Sequence, residues 1–184
     1  MNYNPKIHNR RSIRLKGYDY SRKGLYFITI CCYRRMCHFG EIKNGQIHLN
    51  NAGKIANQCW VAIPEHFPFV ALHEYVVMPN HVHGIIEFTT GANQYSPKSN
   101  INSDSRVKSN SPLPRSPSNT VGSVVRGFKI GVTKWMRQNT EIYNVWQRNY
   151  YDHIIRNKQS YHRISTYIKN NPANWKEDKF HRER

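Results

Sequence analysis

The chain has 184 residues, enough for one compact domain with some surplus and short for two. It carries 28 Lys+Arg against 11 Asp+Glu, a formal charge of +17 with a pI near 10.0. That balance points first to nucleic acid, because each neutralised phosphate releases counterions. The absence of a long apolar run or a basic helix with a clean apolar face argues against a membrane.

Residues 1–24 read as a basic arm punctuated by Gly17 and Gly24, with no apolar stretch of the kind a secretory signal needs. LYFITICCY, from Leu25, is aromatic and β-branched and predicts a buried strand. Asn44-Gly45 between two short alternating runs predicts a two-residue hairpin, since both turn positions require positive φ. Asn51 is the expected cap of a helix reaching about Ile63, with Ile55, Cys59 and Ile63 on one face and Pro64 as its stop. Phe69 to Met78 and Val82 to Phe88 read as two more strands around the tight break Pro79-Asn80.

From Thr89 the composition shifts to Ser, Asn and Pro, and 90–119 is expected to be a disordered linker because it cannot bury enough surface to offset its ordering entropy. Thr120 to Arg137 has helical spacing, with Val124, Phe128, Val132 and Met136 inward. WQRNYYDHIIRN (146–157) mixes aromatic and basic residues. Ser160 to about Asn170 predicts a helix with Tyr161, Ile164 and Ile168 inward, ended by Pro172. The order β-β-β-α-β-β-α-α implies an α+β domain over 25–176, a mostly antiparallel central sheet with helices packed on one face, followed by a basic tail at 177–184. Cys31, Cys32, Cys37 and Cys59 lack CxxC-like spacing and suit reduced thiols better than zinc or disulfides.

In YVVMPNHVHGIIEF, His81 and His83 lie at i and i+2, so on a strand both imidazoles project from one face and can reach one ion. Gly84 would admit another backbone or a phosphate. An isolated H-x-H is more often a polar strand end than a metal site. On the last helix Tyr167 and Asn171 are four apart and share a face. A tyrosine hydroxyl, with a free pKa of about 10, becomes a useful nucleophile only beside a polarised phosphate. Spacing alone does not choose between that role and ordinary packing.

PNHVHG with a downstream tyrosine helix resembles the HUH single-tyrosine transposases. WQRNYYDHIIRN followed by YHRISTYIKNNPANW resembles their REP-associated branch more closely. The resemblance covers roughly 25–88 and 120–176. It implies a ferredoxin-like HUH domain in which His81, His83 and Asn171 hold Mg²⁺ or Mn²⁺ and Tyr167 is the nucleophile. The reaction implied is cutting and rejoining of hairpin-forming single-stranded DNA through a 5′-phosphotyrosine. Asparagine at 171, where insertion-sequence relatives have glutamine, favours the REP-associated branch. The resemblance leaves monomer and homodimer both open and implies a cytoplasmic, nucleoid-associated protein.

DNA-contact candidates follow from charge and aromatic interleaving. They are Arg10, Arg11, Arg14 and Lys16 on the arm, Arg126, Lys129 and Lys134 on the 120–137 helix, and Arg148, Tyr150 and Tyr151 beyond it. The competing reading is a catalytically silent, transposase-derived DNA-binding protein.

Overall fold

Alternation along the strands decides which residues meet on each side of the sheet. In the computed structural model, which describes Leu15 and residues 17–90 and 119–181, β1 (Gly24–Cys31) sends Tyr26, Ile28 and Ile30 to one side. Phe27 and Leu25 go to the other. β1 is flanked by β5 (His81–Phe88) and β6 (Tyr151–Ile155), and β4 (Val70–Met78) closes the far edge, giving the all-antiparallel order β4-β5-β1-β6.

The hairpin β2 (Gly40–Lys43) and β3 (Gln46–Leu49) turns at Asn44 and Gly45 with φ of 50° and 74°, as the dipeptide predicts. Helix α1 (Asn51–Val61) starts one residue earlier than expected. Asn50 is its cap, its side chain accepting the Gly53 amide at 2.9 Å. Pro64 does not simply stop it; Pro64 sits in the first turn of the short helix α2 (Ile63–His66), where its missing N–H costs nothing. The buried face of α1 is Ala52, Gly53, Ala56 and Trp60, and Ile55 and Cys59 only flank it.

That face is chosen by β5, where the Trp60 indole covers Gly84 and stacks on Tyr75 at 5.9 Å. Gly84 therefore serves core packing on the side away from the histidines, not the approach of a phosphate. Helix α3 (Val121–Asn139) is closed by a Thr120–Ser123 capping box and buries Val124, Phe128, Val132 and Met136 beside α1.

Helix α4 (Lys158–Asn170) packs on the opposite face, where Ile164 and Ile168 meet Ile85 and Ile155. The helices thus lie on both faces rather than one, because β1 and β5 are apolar on both sides of the pleat. In sequence β6 reads only as an aromatic and basic stretch, because Asp152 and His153 interrupt its apolar pattern. The outer part of the presumed arm joins the core: Tyr20 is buried, accepts the Leu15 amide through its hydroxyl at 3.0 Å and packs by Tyr18 and Tyr26. Likewise 177–181, expected in a tail, folds against the sheet through the buried Phe180. Residues 91–118 of the expected linker lie outside the described residues. No helix among the described residues is long and apolar enough to cross a membrane.

Candidate active site

The α4 face of the sheet carries His81 and His83 on β5, with ring centroids 4.3 Å apart and both side chains buried. Met78 and His81 pair across the Pro79-Asn80 turn, so the turn fixes where β5 begins. Asn80 is fully buried and organises the first histidine. Its amide nitrogen donates to the carbonyls of Phe180 at 2.8 Å and Arg35 at 3.2 Å. Because carbonyls only accept, the other end of the amide must be oxygen. That oxygen accepts from His81 Nδ1 at 2.8 Å and leaves a lone pair on His81 Nε2. His83 Nδ1 meets the Thr29 hydroxyl at 2.8 Å across the β1–β5 pair. That hydroxyl can donate or accept, so His83 Nε2 can present either a proton or a lone pair.

Helix α4 delivers Tyr167 over these rings. Its hydroxyl lies 3.2 Å from His83 Nε2 and donates to Asp178 Oδ2 at 3.2 Å, while its ring meets Phe27 edge-on. Asn171, the C-cap of α4, is buried and gives its amide nitrogen to the same Asp178 oxygen at 2.6 Å. The chain then turns through Pro172 and a 3-10 turn at Trp175–Glu177. Asp178 Oδ1 accepts the Phe180 amide, and Phe180 and Trp175 cover the His81 ring at 4.8 and 6.0 Å. The four expected residues His81, His83, Tyr167 and Asn171 are thus brought together. Asp178, Asn80 and Thr29 join them with no signal in local spacing, since Asp178 reads as one acid in a basic tail.

Two buried atoms here have no hydrogen-bond partner: His81 Nε2 and Asn171 Oδ1. Orphaned buried acceptors cost about 1–3 kcal/mol each and ask for an explanation. The ligand-capable atoms of His81, His83 and Asp178 all lie within 4.8 Å of one another. Burial pushes the His81 pKa down to about 4, against the pull of the Asp178 charge, and holds His83 well below the ordinary histidine value for the same reason. Both imidazoles are therefore neutral near pH 7, the state a metal ligand needs. Nitrogen and oxygen donors of this mixture fit a divalent cation. Burial and the Asp178 carboxylate raise the Tyr167 pKa, so the phenol is protonated without a cation beside it.

The other expected contact residues scatter. Tyr151 is exposed on the same sheet face, paired with Thr29 and 6.2 Å from Phe180, so it stands at the mouth of the site. Arg126, Lys134 and Arg148 are exposed elsewhere, and Tyr150 packs partly into the core. Lys129 is tied back onto the Gln147 and Asn149 carbonyls at 2.8 and 3.0 Å, with its pKa lowered to about 8 by burial. Its ammonium holds a loop rather than facing solvent. Arg10, Arg11, Arg14 and Lys16 lie outside the described residues.

No family model matches the chain. Its fold is shared with a REP-associated tyrosine transposase solved bound to a REP hairpin, with a TM-score of 0.59 at 19% identity over 88% of this chain and 74% of that one. A protein of Haemophilus influenzae, described only as uncharacterized, is 51% identical over 97% of both chains. The chain belongs to one family with that Haemophilus influenzae protein, and its fold is the fold of a REP-associated tyrosine transposase.

Proposed function

We propose that this chain is a metal-dependent tyrosine transposase of the HUH type, which cuts and rejoins single-stranded, hairpin-forming DNA. The observation that carries the reading is that His81 Nε2 and Asn171 Oδ1 are buried side by side next to His83 and the Tyr167 hydroxyl, and with His81 Nδ1 donating to Asn80 both are acceptors that cannot satisfy each other. His81, His83 and Asn171 would hold Mg²⁺ or Mn²⁺. When bound, the ion supplies charge stabilisation at the non-bridging oxygens of the scissile phosphate.

The chain's own groups do the rest. Asp178 Oδ2, already accepting from the phenol, takes the Tyr167 proton. The phenolate oxygen bonds to phosphorus as the bond from phosphorus to the 3′-oxygen breaks. The products are a 5′-phosphotyrosine and a strand whose 3′-oxygen takes a proton from water. Rejoining reverses these steps with a 3′-OH as nucleophile and Asp178 returning its proton to Tyr167. No nucleotide cofactor is required, because the phosphodiester energy is kept in the phosphotyrosine. Phe27 and Phe180 pack against the His83 ring and keep water from its sides.

The test is a denaturing gel of wild type and Tyr167→Phe with labelled hairpin-bearing single strands drawn from a random-sequence pool, in Mn²⁺ or EDTA. A labelled band at protein size only with metal and only with Tyr167 supports the reading. DNA binding with no band from any member of the pool contradicts it and favours a catalytically silent DNA-binding protein.

A further inference from the structure

β6 is an outer strand of the sheet, and against it lies a cleft of about 630 Å³. It is lined on one side by Asp152, His153 and Arg156 and on the other by Gln159 and Arg163 of α4. Tyr20 forms part of its wall. A volume of this size holds one drug-sized group, and a nucleotide is such a group.

Arg156 and Arg163 are exposed, and neither has a carboxylate partner among the described residues. Asn157 caps α4, its side chain accepting the Ser160 amide at 2.8 Å. The two guanidiniums are the positive charges offered to an anion here, set against the one Asp152 carboxylate that also lines the cleft. Guanidinium forks match phosphate oxygens in pairs. Gln159 adds an amide that can both donate and accept toward a base edge, and Tyr20 adds an aromatic wall. Among the described residues no strand pairs with the outer edge of β6, whose backbone can supply further donors and acceptors.

The cleft shares β6 and α4 with the active site. His153 pairs with Phe27, whose ring lies 5.3 Å from His83 and 6.2 Å from Tyr167. On α4, Arg163 precedes Tyr167 by one turn, about 6 Å along the axis and on the same face. That is within the reach of one nucleotide of an extended strand. We propose that this cleft holds a nucleotide of the single strand flanking the phosphate presented to Tyr167, its phosphate on Arg163 and Arg156 and its base toward Gln159 and Tyr20. The proposal rests on the strand-cutting reading above and adds a subsite that places the strand.

The experiment measures affinity in a Tyr167→Phe background, so that no covalent product forms. Short random-sequence single-stranded DNA and a blunt duplex of matched length are titrated across a salt series. The full chain is compared with its Arg156→Ala/Arg163→Ala and Arg156→Lys/Arg163→Lys forms. The alanine pair is expected to lose tenfold or more on the single strand and to flatten the salt slope by about 0.7, the share of one phosphate on a single strand. Duplex affinity should hold, and the lysine pair should recover the slope but not the full affinity. Unchanged single-strand affinity, or an equal loss on both DNAs, would overturn the subsite. Failure of the covalent chemistry would appear separately, as a missing phosphotyrosine in the wild type.

Discussion

Asn80 offers a sharp perturbation because one buried amide serves three partners. Asn80→Ala removes the acceptor for His81 Nδ1 and the donor to the Phe180 and Arg35 carbonyls. One buried group left unsatisfied costs about 1–3 kcal/mol. The three together, with some hydration of the loosened 178–181 segment, should cost about 2–4 kcal/mol of stability in EDTA. The more telling effect is on the metal. Loss of a group that orients a ligating histidine lowers metal affinity about 10–100-fold. At a Mn²⁺ concentration of about 100 Kd the wild type gains about 2.7 kcal/mol from binding, and a site tenfold weaker gains only about 1.4. Thermal unfolding with and without Mn²⁺ reads that increment directly. Asn80→Asp keeps an acceptor for His81 but loses both donors, so it should recover much of the increment while staying less stable in EDTA. An undiminished Mn²⁺ increment in Asn80→Ala would refute the reasoning, since His81 would then not be a ligand that Asn80 aims.

Other expectations follow from the same geometry. In metal-free protein, His81 has its pKa depressed to about 4 by burial, so the unfolded chain binds the proton first. Stability is fully present above about pH 6.5 and falls as pH drops toward 4, by about 3 kcal/mol if the whole shift is expressed; urea midpoints in EDTA at pH 7, 5.5 and 4.5 should descend, and a flat series would contradict it. Gly84→Ala drives a methyl into the rigid Trp60 indole and should cost about 1–3 kcal/mol, with the near-ultraviolet circular dichroism of Trp60 altered. Lys129→Met frees two carbonyls and should lower the melting temperature while leaving the salt slope of DNA binding unchanged. Lys134→Ala, on an exposed position, tests the opposite pattern, with stability within about 0.5 kcal/mol of wild type and a shallower salt slope if that residue meets a phosphate.

How far the sequence could be read depended on whether a signal was local. The β2–β3 turn follows from Asn44-Gly45, and α3 follows from its 3.6-residue apolar spacing, because both are decided within a few residues. The pairing of His81 with His83 was readable from the strand period, and that of Tyr167 with Asn171 from the helix period. The buried face of α1 was misjudged because Trp60 is drawn inward by Gly84, a residue 24 positions away and invisible to periodicity. The placement of helices on one face failed for a related reason: β1 is apolar on both sides, and a continuous apolar run does not say which helix covers which side. Asp178 was missed because its role depends on the chain doubling back after Pro172 to place its carboxylate under Tyr167 and Asn171. Lys129 looked like a DNA contact on charge alone, and only the fold shows its ammonium bound to two loop carbonyls.

The central claim is that Tyr167 carries the strand, and the most direct test is to find the covalent link. Wild-type protein would be incubated with Mn²⁺ and the cleaved pool of hairpin-bearing single strands, treated with nuclease and trypsin, and sequenced by tandem mass spectrometry. Cleavage after Arg163 and Lys169 should release the peptide 164–169 bearing a nucleotide on Tyr167, which is the result the account predicts. A nucleotide on another residue, or cleaved DNA with no adduct on this peptide, would contradict it.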